Sequence, residues 1–146
     1  MVATSVLLLA LATARAKAPA PAPRPAEAAG VLAEVGKPGA SAVLLNVWAT
    51  WCMPCREEFP DILKVARELS PRGLRLVLVS ADFPEAETDV TAFLTEHGVD
   101  FPTWIKAGKD EAFVDGLDKR WTGALPVTFL YDGHGKLVRY WEGKAT

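Results

Sequence analysis

The sequence predicts an α/β three-layer sandwich built on a mixed β-sheet. Three observations carry this reading. Two β-rich runs occupy residues 43–48 and 74–80, each is followed by apolar residues at helical spacing, and two later strands are joined by the turn Asp132-Gly133-His134-Gly135. The chain has 146 residues, enough for one domain with one hydrophobic core. Its net charge of −2 offers no basic surface for nucleic acid or for a polybasic membrane contact.

Residues 1–16 are read apart from the fold. Val6 to Ala12 is an apolar run of signal-peptide length, and Ala14-Arg15-Ala16 places small residues where a signal peptidase reads them. Cleavage after Ala16 would leave roughly 130 residues. The run is far shorter than the ~20 residues of a spanning helix. No Lys or Arg precedes it, so an unprocessed N-terminal anchor stands beside the signal peptide, and a frayed helix ranks below both. No cysteine near the cleavage site supports a lipid anchor. Residues 17–25, KAPAPAPRP, alternate Ala and Pro, which removes backbone donors and favours an extended, semi-rigid linker.

The remaining elements follow in order. Residues 26–35 predict a short helix closed by Gly36 and weakened by Gly30. Residues 43–48, a β-rich run that is continuous rather than alternating, predict a central strand covered on both faces. Residues 54–69 predict a helix whose buried stripe is Phe59, Ile62, Leu63, Ala66 and Leu69, kinked by Pro60 and stopped by Pro71 and Gly73. Residues 74–80 predict a second central strand, parallel to the first because a helix carries the crossover. Residues 85–97 predict a helix with Val90, Phe93 and Leu94 inward, ended by Gly98. A looser stretch follows, and residues 127–131 and 136–141 then form the hairpin that adds antiparallel neighbours.

The chain's two cysteines, Cys52 and Cys55, stand where the first central strand ends and its helix begins. Residues three apart in a first helical turn can form a disulfide without moving the backbone. The loop so closed is tiny and restrains the unfolded chain little, so the pair suits switching better than stapling. Unpaired N–H groups and the positive end of the helix dipole would stabilise a thiolate on Cys52 and lower its pKa. Cys52 is then the attacking sulfur, and the deeper Cys55 resolves the mixed disulfide. Pro54 fits the first turn, where a missing N–H costs nothing. A structural zinc site needs four ligands, and His97 and His134 fall in unrelated segments. A c-type haem site needs His after the second Cys, where Arg56 stands. A static disulfide is the bland alternative.

The segment NVWATWCMPCREEFP, residues 46–60, resembles the active-site segment of the TlpA/ResA-like thioredoxins, exported bacterial thiol–disulfide oxidoreductases. A second segment, GALPVTFLYDGHG at residues 123–135, is similar to that family's G-x-P-T-T-F-L-I-D-x-x-G stretch. The resemblance spans residues 31–141 and implies a thioredoxin-like domain over residues 26–146. It also implies that Pro126 is a cis-proline beside the cysteines. The backbone of Leu125 would pair with an extended substrate segment. Trp51 would be a surface ring for substrate contact, with an ordinary packed aromatic as its equal alternative. Trp51, Pro54, Leu125 and Pro126 form the expected substrate-binding set. Glu58 matches an acidic residue one turn beyond the second Cys and would relay a proton to or from Cys55, against the bland reading of a solvated helix charge like Glu57. Pro60 matches the kink proline of the thioredoxin active-site helix.

Two positions depart from ordinary thioredoxins. Asn46 stands where a buried Asp is usual and cannot accept a proton, which shifts that task toward Glu58. Leu125 stands where Thr or another small or β-branched residue is common. The family also adds a closing helix after the last strand, which this sequence apparently lacks; part of one sheet face would then be exposed, or be covered by the helix at 26–35 or by a partner.

The activity so expected is thiol–disulfide exchange with protein partners in a periplasmic or other extracytoplasmic compartment, with no bound cofactor and no metal. By resemblance the direction is that of a reductant, which requires an electron donor, expected to be a membrane-bound thiol carrier. The protein is expected to be a monomer. The alternative is a thioredoxin-fold Cu(I) chaperone, because soft thiolates suit Cu(I); such chaperones use a wider Cys spacing and a distant His.

Overall fold

The computed structural model of the protein describes residues 17–145, so the expected signal segment at 1–16 lies outside the described residues. The elements in chain order are β1 (Arg24–Ala26), α1 (Ala28–Val35), β2 (Ala42–Trp48), α2 (Met53–Leu69), β3 (Leu74–Ser80), α3 (Glu87–Glu96), β4 (Trp104–Lys106), α4 (Asp110–Leu117), β5 (Val127–Asp132) and β6 (Leu137–Glu142). The six strands make one sheet in the order β1-β4-β3-β2-β5-β6. The pairs β1–β4, β4–β3 and β3–β2 are parallel, and β2–β5 and β5–β6 are antiparallel, so the expected mixed sheet is present.

Strand β2 lies at the centre, and its run of buried residues, apolar except for Asn46, reflects burial on both faces. Leu44 and Trp48 pack with Phe59, Ile62 and Leu63 of α2 and Val90, Phe93 and Leu94 of α3. Val43, Leu45 and Val47 pack on the other side with Ala28, Val31 and Val35 of α1 and Phe113 and Leu117 of α4. Trp48, Phe59 and Phe93 meet with ring centroids 4.8–4.9 Å apart and anchor the layer under the cysteines. Burying each such ring contributes roughly 1.5–3 kcal/mol.

Four expectations are corrected. The Ala/Pro segment at 17–25 is extended, but it is no free spacer. The N–H of Ala20 donates to Thr95 Oγ1 at 2.9 Å, Lys17 Nζ donates to the Glu96 carbonyl at 2.6 Å, and Arg24–Ala26 adds the edge strand β1 to the sheet. Proline tolerates an edge position, and the residues flanking Pro25 carry the ladder: Arg24 N–H reaches the Thr103 carbonyl at 2.9 Å and Ala107 N–H reaches the Ala26 carbonyl at 2.9 Å. The first helix therefore begins at Ala28 rather than residue 26. The stretch read as loose holds β4 and α4. Finally, α1 lies on the Val43–Leu45–Val47 face and does not cover the α2 side of the β5–β6 hairpin. There Leu130 and Trp141 stay partly exposed, and among the described residues no helix follows β6.

One glycine explains how α4 fits. A Cβ on Gly116 would come within 2.6 Å of the Ala28 Cβ, so α1 and α4 approach closely only because this position has no side chain. Among the described residues no helix is long and apolar enough to cross a membrane.

Candidate active site

The central strand ends at Trp48, and four residues later Cys52 caps α2. Cys52 has extended backbone angles, as a capping residue should, and its N–H closes a turn onto the Ala49 carbonyl at 3.2 Å. Its sulfur accepts the Cys55 N–H at 3.3 Å, so the capping position taken in most helices by an oxygen is taken here by Sγ. Cys52 and Cys55 are joined by a disulfide with their Cα atoms 5.3 Å apart. Both are buried among Trp48, Ala49 and Phe59. Pro54 lies in the first turn and is exposed.

The apolar residues beside Cys52 do not join the core. Trp51 is 68% exposed and Met53 63% exposed, which places the Trp51 ring on the surface rather than in the packed alternative. The Leu125–Pro126 peptide bond is cis, and Pro126 is buried. Leu125 is partly buried against the core cluster that contains both cysteines. Trp51 and Leu125 line one open cavity of about 470 Å³, together with Lys106, Asp110, Glu111 and Trp121. The geometry thus gathers Trp51, Cys52 and Leu125 at one end of the sheet, where β2 runs out and the chain returns into β5.

Glu58 is only 3% exposed, on the same face of α2 as Cys55, Phe59 and Ile62, whereas its neighbour Glu57 is exposed. Burial pushes the Glu58 carboxyl above its ordinary value; the N–H of Ala145, the Lys144 ammonium and the Asn46 amide pull it back in part, and Asp61 adds to the rise. Ala145 N–H donates to Oε1 at 2.6 Å, and Lys144 Nζ pairs with Glu57 at 2.8 Å, so residues 144–145 lie over this turn. Asn46, 2% exposed, donates its amide N–H to Thr128 Oγ1 at 3.0 Å across the β2–β5 ladder.

Matching against families finds the AhpC/TSA family over residues 28–140. The chain belongs to the AhpC/TSA family. The match takes in the Cys52–Cys55 disulfide, Glu58 and the Leu125–Pro126 corner of this AhpC/TSA chain. It is 34% identical over 104 residues to the thiol-disulfide oxidoreductase ResA of Bacillus subtilis, a stretch that covers 71% of this chain and 54% of that protein. The chain thus spans about half the length of the curated relatives it matches. Among solved structures it is similar to one described as the thiol:disulfide interchange protein DsbE from Chlorobium tepidum, with TM-score 0.61, 25% identity, and coverage of 78% of this chain and 74% of that one. A thioredoxin family protein from Chlorobium tepidum TLS aligns with TM-score 0.63 at 24% identity over 89% of this chain and 88% of its own. The fold of this AhpC/TSA member is thioredoxin-like, as these alignments and the mixed sheet flanked by helices agree.

Three residues beside the pair have no role in the sequence-based expectation. Thr50, Asp82 and Arg56 form a hydrogen-bonded group behind Cys52. Asp82 lies 32 positions from Thr50, and nothing in local spacing marks such a pair. Phe83, next to Asp82, is 64% exposed.

Proposed function

We propose that this protein is a thiol–disulfide oxidoreductase that exchanges disulfides with protein partners through Cys52 and Cys55, and that it works as a reductant. The observation that carries the reading is the Cys52–Cys55 disulfide at the start of α2, with Cys52 Sγ accepting a helix N–H beside an exposed tryptophan. Relatives named as thiol-disulfide oxidoreductases support it.

In the reduced protein, the Cys52 thiolate attacks one sulfur of a partner disulfide and expels the other as a thiolate. The N–H of Cys55 and the helix N-terminus favour the negative charge on Cys52 by about 0.3–1 kcal/mol. Glu58 accepts the proton of Cys55, whose sulfur then attacks Cys52 Sγ. The partner leaves with both sulfurs reduced and carrying two electrons, one protonated by the proton Glu58 returns and the other from water, and the Cys52–Cys55 bond re-forms. Burial favours a carboxyl near Cys55 that can both take and return a proton. Trp51, Pro54, Leu125 and Pro126 hold an extended partner segment, with the Leu125 backbone pairing to it as an added strand.

The site works outside the cytoplasm, with residues 1–16 as signal peptide or anchor, residues 17–25 leading into the domain, and the domain acting as a monomer. A membrane-bound thiol carrier returns the electrons. No observation favours the Cu(I)-chaperone alternative. Incubating the reduced protein with a disulfide-containing peptide tests the reading. Stoichiometric appearance of peptide thiols and of the Cys52–Cys55 bond is expected; a peptide that stays oxidised beside a dithiol protein would refute it.

A further inference from the structure

Of the two buried carboxylates among the described residues, Glu58 and Asp82, only Glu58 has a place in the exchange scheme. Asp82 is 2% exposed and takes part in no salt bridge among the described residues. Removing a carboxylate from water without a cation is costly, and it persists only where hydrogen bonds replace the lost hydration. At Asp82 those bonds come from Thr50, which supplies two of them, and from Ser80. Oδ2 accepts the Thr50 N–H at 2.9 Å, and Oδ1 accepts the Thr50 hydroxyl at 2.5 Å. The Ser80 hydroxyl also donates to Oδ2, at 2.5 Å, and Ser80 Oγ accepts the N–H of Asp82 at 3.0 Å. The remaining polar group of Thr50, its carbonyl, accepts from Arg56 Nη1 at 3.1 Å, and the Arg56 guanidinium lies 4.9 Å from the centre of the Phe93 ring.

Thr50 is therefore held at its N–H, its hydroxyl and its carbonyl, two positions ahead of Cys52. The anchor for the first two bonds sits just past the end of β3, where Ala81 N–H ties to the Trp48 carbonyl at 2.7 Å. We propose that Asp82 is a positioning residue for the exchange reaction: by fixing Thr50 it sets how Trp51 and the Cys52 sulfur face an incoming disulfide. Exchange needs the attacking, central and leaving sulfurs nearly in line, so a small misplacement of the attacking sulfur slows it while the core stays packed. This inference rests on the thiol–disulfide reading above.

The test compares the full chain with its Asp82→Ala, Asp82→Asn and Thr50→Val variants. Exchange with a peptide disulfide, alkylation of reduced Cys52 by iodoacetamide, and thermal unfolding are measured side by side. Asp82→Ala is expected to lower kcat for the peptide disulfide by at least about tenfold, with alkylation, which needs no three-sulfur alignment, changed by less than about twofold. Asp82→Asn restores most of the rate, because a carboxamide can still accept the Thr50 N–H and meet its hydroxyl. Thr50→Val, which keeps the N–H and loses the hydroxyl, falls between and serves if Asp82→Ala does not fold. Unchanged exchange in Asp82→Ala or, failing that, in Thr50→Val, with only a lower unfolding temperature, overturns the proposal, since Asp82 would then be structural. Asp82→Asn as slow as Asp82→Ala, with altered alkylation in both, also overturns it by making charge the operative property. A wild-type pair that does not exchange at all refutes the thiol–disulfide reading itself, an outcome visible without any variant.

Discussion

The main-chain N–H of Ala145 donates to Oε1 of Glu58 at 2.6 Å, and this contact lies over a carboxyl that is otherwise sealed inside the α2 face. Burial is the largest influence on Glu58 and raises its pKa. The native protein holds this proton more tightly than the unfolded chain, so the contribution of Glu58 to stability is fully present at low pH and is lost as pH rises through the raised native value. Replacing Glu58→Gln removes the titration and keeps an acceptor for Ala145. Thermal unfolding followed from about pH 4 to about pH 8 is expected to decline less with pH in the variant than in the wild type. An identical decline in both would show that Glu58 does not titrate in this window.

The two cysteines have unequal roles. With Cys55→Ser, Cys52 is expected to accumulate a mixed disulfide with a peptide substrate, because no resolving sulfur remains. With Cys52→Ser no such adduct forms at neutral pH. Mass measurement of the unreduced proteins decides it, and an adduct through Cys55 would reverse the assignment.

Trp51 contacts solvent over 68% of its surface, so its removal opens no cavity in the core. Trp51→Ala is expected to leave stability within about 0.5 kcal/mol of wild type. KM for a protein disulfide is expected to rise about tenfold, equivalent to about 1.4 kcal/mol of binding. Steady-state kinetics and thermal unfolding check both halves. A stability loss well beyond that range would restore the packed-aromatic reading.

Gly116 gives a test on the opposite face. In a helix, Gly→Ala normally stabilises by about 1 kcal/mol. Here the new Cβ would stand 2.6 Å from the Ala28 Cβ, and overpacking of that kind costs about 1–3 kcal/mol. The clash outweighs the propensity, so Gly116→Ala is expected to lower the unfolding free energy by about 1 kcal/mol while the redox equilibrium of the cysteines stays unchanged. Denaturant unfolding in the two redox states measures it. A more stable variant would mean that α1 and α4 separate at little cost.

The sequence made the central elements legible because their signals are long. Residues 43–48 and 74–80 are β-rich runs interrupted only by Asn46, Arg75 and the closing Ser80, and α2 carries its stripe across 17 residues. Strand β4 has three residues, too few to express a period, and α4 has eight with Gly116 inside, which reads as a breaker until its contact with Ala28 is known. Proline hid β1 for a similar reason: an alternating Ala/Pro run looks unpaired, and only the proximity of β4 makes Arg24–Ala26 a strand. At the site, Cys52 and Cys55 were legible from spacing and context, whereas Glu58, Trp51, Leu125 and Pro126 came from resemblance alone. Asp82 escaped because its partner Thr50 is brought to it by the β2–β3 pairing, a relation that no local pattern encodes.

The central claim, that Cys52 and Cys55 form a redox-active pair that serves reduction, is tested most directly by the equilibrium of the pair in glutathione or dithiothreitol buffers at neutral pH. Reversible cycling with a potential near the thioredoxin value of about −270 mV is the predicted result. A potential near −120 mV, roughly that of a strong disulfide donor, would contradict the reductant direction, and a pair that cannot be cycled would contradict the claim as a whole.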